Sequence, residues 1–125
     1  MKALPDTSVL IATDAPVLDG ELAISAASLA ELHFGVMITA DPTARAERLR
    51  RLSTLQRTFD PLPVDDVATS YGRLAAAVAG IGRQPRSRVF DLLIAATAHA
   101  HNARLYTLNP ADLTGLDDLL EIVAI

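Results

Sequence analysis

Short apolar runs that stop at a polar residue alternate along this chain with longer stretches of helical period, and that alternation limits the fold more than any other feature. Lys2 to Pro5 reads as a short buried strand ending at Asp6. Thr7-Ser8 can cap the turn that follows, where Val9-Leu10-Ile11 starts a helix. Asp14 to Gly20 is rich in turn residues and predicts a loop, and Leu22 to Ser25 a second short strand. From about Ala27 to Thr39 the pattern predicts a helix with Leu29, Leu32, Phe34 and Val36 on its buried side. Asp41-Pro42 opens another, with Leu49, Leu52 and Leu55 as its apolar stripe. Phe59 to Val64 is extended and broken by Pro61 and Pro63, which suits an edge strand. Asp65-Asp66 is a good N-cap for a helix reaching about Ala79, and Gly80 to Pro85 is a loop. Val89 to about His101 is a strongly apolar helix, Arg104 to Leu108 a strand, Asn109 to Asp112 a turn, and Glu121 to Ile125 a last strand. Short strands between longer helices predict an α/β layered domain around a mainly parallel sheet. The 125 residues suit a single domain over 1–125 with a well-buried core.

Composition removes several classes of function. There is no cysteine, so disulfides, thiolate catalysis and cysteine-ligated zinc are excluded. Asp6 and Thr7-Ser8 interrupt the first apolar run too early for a signal peptide. No stretch reaches the roughly 18–20 apolar residues that span a bilayer. The expected setting is cytoplasmic, away from membranes. The formal charge of −4 argues against unspecific binding to nucleic acid. Positive charge is nonetheless local: five arginines fall between Arg45 and Arg57, and Arg83, Arg86 and Arg88 precede Asp91. Arg48 and Arg51, with Glu47, fit an ordinary polar helix face, while an arginine rim also suits phosphate.

In an open parallel sheet, ligands collect at the carboxyl ends of the strands. Asp6 ends the first strand, and Asn109 and Asp112 follow a late one. Asp91 sits near the start of the apolar helix and Glu31 early in the helix after the second strand. All can meet at one edge of the sheet. Converging carboxylates repel one another unless a cation lies between them, and hard oxygen ligands suit Mg²⁺ or Mn²⁺. Such a site serves phosphoryl chemistry. Each acid also has a plain structural role open to it. Asp6 can cap its turn, Glu31 can close a capping box with Ser28, Asp91 can face a helix dipole, and Asp112 can cap a turn. The three histidines, His33, His99 and His101, lack the further ligands at suitable spacing that zinc needs.

Four stretches, taken together and in order, resemble the motifs of PIN domains. They are Asp6-Thr7-Ser8-Val9-Leu10-Ile11, the run Ser25 to Gly35, the run Asp91 to Ala98, and the run Leu105 to Leu113. They cover essentially the whole chain, and its short format resembles the VapC toxins of toxin–antitoxin modules. The resemblance implies a three-layer PIN-like sandwich and a Mg²⁺- or Mn²⁺-dependent endoribonuclease toxin, homodimeric and held inactive by a VapB-type antitoxin. It implies RNA hydrolysis by metal-activated water, with tRNA or rRNA as substrate. Carried over by position, Asp6 and Asp91 are the principal metal ligands, and Glu31 holds a second ion or orients water. Many relatives have Asp where Asn109 stands, so Asp112 becomes the candidate for the fourth acid. Thr7, Ser8, Thr107 and Asn109 become supporting residues, and Arg86 and Arg88 candidate contacts to RNA phosphates. A PIN-like module that binds RNA or protein without cutting is the alternative that Asn109 keeps open. A phospho-acceptor domain would want a lysine at the end of a late strand, and the only lysine is Lys2.

Overall fold

The computed structural model describes residues 1–12 and 17–125, so part of the loop expected over Asp14 to Gly20 lies outside the described residues. Strands β1 (Lys2–Pro5), β2 (Glu21–Leu22), β3 (Arg104–Thr107) and β4 (Ile122–Ala124) form a sheet in the order β2-β1-β3-β4. Every pairing in it is parallel. The helices are α1 (Thr7–Leu10), α2 (Ala26–Ile38), α3 (Pro42–Thr58), α4 (Ala68–Gly80) and α5 (Val89–Ala100). Two 3₁₀ turns, Pro85–Arg88 and Pro110–Leu113, flank α5 and follow β3. Among the described residues no helix is long and apolar enough to cross a membrane.

Strand alternation sorts the core into two faces. Leu4, Leu105 and Ile122 point to the side covered by α2, α4 and α5. Ala3, Tyr106 and Val123 point to the other, where Val9 of α1 and Leu18 pack. The sheet is thus the middle of three layers, one of them thin. Ala95, Ala96 and Ala98 are fully buried, and their small side chains let α5 sit close to its neighbours. Leu105, on the central strand β3, is 0% exposed. Leu105→Ala is expected to cost about 2–5 kcal/mol, seen as a lower urea midpoint with an unchanged m-value.

Several expected boundaries move, each for a physical reason. The second strand is Glu21–Leu22 rather than Leu22 to Ser25. Ser25 is instead the N-cap of α2, its Oγ accepting from the Ala27 N–H at 3.1 Å. Phe59 to Val64 is not a strand: it makes one bridge, Leu62 to Ser25. Pro61 and Pro63 lack the N–H groups that would extend a ladder. Asp65-Asp66 does not cap α4. The chain runs on to bury Val67, 1% exposed, in the N-cap position, and Asp66 lies 3.6 Å from His101. Asp6, not Thr7 or Ser8, is the N-cap of α1. Phe34 is 63% exposed: Ser28 and Val36 are buried and Leu32 half-buried on one face of α2, and Phe34 lies on the opposite side. On α3 only Leu52 is fully buried; Leu55 is half-buried and Leu49 is 50% exposed. That helix packs chiefly on α2, so its apolar stripe is narrow.

Candidate active site

Parallel pairing of β1 with β3 puts the ends of both strands at one edge of the sheet. The Asp6 N–H donates to the Tyr106 carbonyl at 2.9 Å, and the Leu108 N–H donates to Ser8 Oγ at 3.1 Å. Ser8 Oγ in turn donates to Asp6 Oδ1, which also accepts from the Val9 N–H at 3.3 Å. One oxygen of Asp6 therefore caps α1. Oδ2 has no hydrogen-bond partner among the described residues. Capping and ligation are thus compatible in this carboxylate.

Glu31 does not belong to a capping box. Ser25 caps α2, Ser28 is buried inside it, and Glu31 stands beyond the first turn. Its Oε1 accepts from Thr7 Oγ1 at 2.7 Å, which fixes it against the start of α1. Asp91 lies in the first turn of α5. Burial raises its carboxyl above the usual carboxylate range. Asp112, Glu31 and Asp6 push it further up, against the pull of Arg88.

Asp112 is carried by the 3₁₀ turn after β3. Arg88 Nη1 donates to its carbonyl at 3.1 Å and to Oδ1 at 3.3 Å. Arg83 Nη1 donates to the neighbouring Ala111 carbonyl at 3.0 Å. Arg88 is thus committed to the acid it precedes, and Arg86 is exposed on the same turn. Thr107 is fully buried and accepts from the Asn109 N–H at 3.0 Å. The histidines are engaged elsewhere, His33 with Gln56, His99 with Ser70 and His101 beside Asp66.

Asp6, Thr7, Ser8, Glu31, Asp91, Asn109 and Asp112 line one cavity of about 230 Å³, with Ile94, Leu105 and Leu113 as its apolar floor. All four expected acids therefore meet. They do not close on a point: among the described residues no three acids or histidines are grouped tightly enough to grip one ion. A set of this kind still fits Mg²⁺, which keeps several waters and needs only one or two carboxylates directly. An all-oxygen donor set with raised proton affinity at its centre suits a hard dication and the phosphate oxygens it would attract. Two features of this site have no local signal in sequence. The Thr7–Glu31 bond joins residues 24 apart, and the Arg83 contact fastens a turn 28 residues away.

Comparison with known proteins gives one answer. Residues 3–112 match the PIN domain model. The chain is 37% identical over 119 residues to Ribonuclease VapC5 of Mycobacterium tuberculosis, covering 90% of this chain and 85% of that protein. It is 34% identical over 112 residues to Ribonuclease VapC4 of the same organism, covering 85% of each. Its fold superposes on a chain of VapBC-5, a member of the VapBC family of toxin–antitoxin systems from M. tuberculosis. The TM-score is 0.86 at 34% identity, over 99% of this chain and 98% of that one. Matched over most of its length by family model, by sequence and by structure, the chain belongs to the PIN-domain family and to its VapC-type branch.

Proposed function

We propose that this chain is a divalent-metal-dependent endoribonuclease, the toxin of a toxin–antitoxin pair, acting on RNA in the cytoplasm as one domain over 1–125. The observation that carries it is the convergence of Asp6, Glu31, Asp91 and Asp112, from four separate segments, on one cavity at the carboxyl edge of the sheet. The relatives named as ribonucleases supply the substrate class, and the VapBC-5 complex supplies the kind of partner, a VapB-type antitoxin.

Asp6 and Asp91 are assigned the direct hold on Mg²⁺ or Mn²⁺, with Glu31 and Asp112 completing the charge around it. When bound, the ion supplies Lewis-acid stabilisation of the phosphate and acidifies the attacking water. The chain's own residues do the positioning. Thr7 orients Glu31, Ser8 ties Asp6 to the end of β3, and Asn109 offers an amide where an acid would add repulsion. Arg88 holds Asp112 in place and tempers the proton affinity of Asp91. Arg88→Ala is therefore expected to lower kcat and Mn²⁺ affinity while leaving KM for RNA within about twofold, because the loss falls on the transition state. Measured kcat and KM with calorimetric Mn²⁺ titration check this. An effect on KM alone would make Arg88 an RNA contact instead.

The direct test incubates the purified chain with RNA in Mg²⁺ or Mn²⁺, with and without EDTA, and maps the ends of the products. Metal-dependent cuts leaving 5′-phosphate and 3′-hydroxyl ends are expected. Intact RNA, or cleavage that survives EDTA, overturns the assignment. The companion experiment is co-purification with the product of the adjacent reading frame. Size analysis of the free chain tests the homodimer expected of this family.

A further inference from the structure

Beside the carboxylate cavity, on the other side of Glu31, lies a second one of about 340 Å³, between α1, α2 and α3. The two share Thr7, Ile11 and Glu31 as lining, so they adjoin each other. Arg48 and Arg51, successive side chains on one face of α3, form its far wall. Each is already held in place by neutral acceptors. Arg51 Nη1 donates to the Ile11 carbonyl at 3.1 Å, and Arg48 Nη1 donates to Thr39 Oγ1 at 2.6 Å. Neither has a carboxylate partner among the described residues, whereas Arg88 and Arg104 are neutralised by Asp112 and Glu121. A guanidinium carries five N–H donors, so most of each fork is left available.

We propose that Arg48 and Arg51 bind backbone phosphates of the RNA strand flanking the cut, making the cavity between α2 and α3, next to the acids, the track along which that strand lies. Their reading as an ordinary polar helix face does not account for two anchored cations, without a carboxylate partner among the described residues, beside a cluster of acids. A polyanion entering a site lined by four carboxylates meets repulsion, in a chain whose net charge is −4. Fixed positive charge adjoining the site offsets that repulsion, and arginine's planar fork matches phosphate. Contacts of this type position the strand and carry no sequence information. The proposal rests on the ribonuclease reading and names where its substrate runs.

The test measures binding of a labelled single-stranded RNA across a salt series, in an Asp91→Asn background so that the probe is not consumed. Glutamine at both positions, R48Q with R51Q, keeps donors for Thr39 and Ile11 and removes the charge. Affinity should fall about tenfold, and the slope of log K against log salt should flatten by about 1.4, two single-strand phosphate contacts. Arg57→Gln, the same charge change further along α3, should leave the slope unaltered. R51K should keep most of it. With Asp91 restored and Mn²⁺ present, the double variant should raise KM for an oligonucleotide and hold kcat within about threefold. An unchanged slope, or a loss no larger than that of Arg57→Gln, overturns the proposal. So does intact RNA binding with selective loss of an acidic peptide. If the wild type cuts nothing, the ribonuclease reading falls, and the binding series still decides the role of the two arginines.

Discussion

Asp91→Asn is expected to abolish RNA cleavage and, at neutral pH, to raise the melting temperature. Removing a direct hold on the ion forfeits several kcal/mol of transition-state stabilisation, so the rate should drop on the order of 10³-fold or more. The gain in stability follows from the environment of the carboxyl. Burial raises its pKa first, and Asp112, Glu31 and Asp6 add to it. A raised pKa in the folded state means that the fold prefers the protonated acid. The penalty for ionising Asp91 is absent below its unfolded pKa, grows as pH climbs from there, and is full above the folded pKa. A neutral amide avoids it, so the melting temperature should rise. The advantage over wild type should vanish in acid, where Asp91 is itself neutral. Thermal melts of both proteins from acid to neutral pH, beside a cleavage assay, test both halves. A variant that cuts at the wild-type rate refutes the site.

Mn²⁺ is expected to stabilise the wild type strongly at neutral pH. An ion bound only by the folded state contributes about 2.7 kcal/mol at one hundred times its Kd, enough to move the melting point by many degrees. Asp6→Asn should erase that shift. Asparagine serves as an N-cap about as well as aspartate, so the cap on α1 survives and the metal effect is isolated from folding. The shift should also fade on acidification, since protons compete for the same oxygens. Melting curves with and without Mn²⁺, on wild type and Asp6→Asn, provide the check. An equal shift in both proteins would remove Asp6 from the ligand set.

The elements that the sequence predicts well are those whose signal is local. β1, α5 and the strand over Arg104–Thr107 follow from apolar runs broken by polar residues. Asp6 and Asp91 are legible because one follows the end of a strand and the other begins a helix, whereas Glu31 lies beyond the first turn of α2. The errors fall where tertiary demand overrides a local motif. Asp65-Asp66 looks like a cap, yet burial of Val67 moves the start of α4 past it. Ser28 and Glu31 look like a capping box, yet Ser25 has already taken the cap. Phe34 is apolar but faces away from the packed side of α2. Contacts such as Thr7 to Glu31 or Arg83 to Ala111 depend on chain segments far apart and have no periodic trace.

The sheet order has a consequence in time. β1 is made first, yet its inner neighbour is β3, and the bond from Leu108 to Ser8 joins residues 100 apart. Loop closure over that span brings no reward until the residues through Leu108 exist. A ribosome extending the chain at about 5–20 residues per second therefore carries Asp6 for several seconds before its partners near Asp112 emerge. The acids can come together only after the segment carrying Asp112 has emerged.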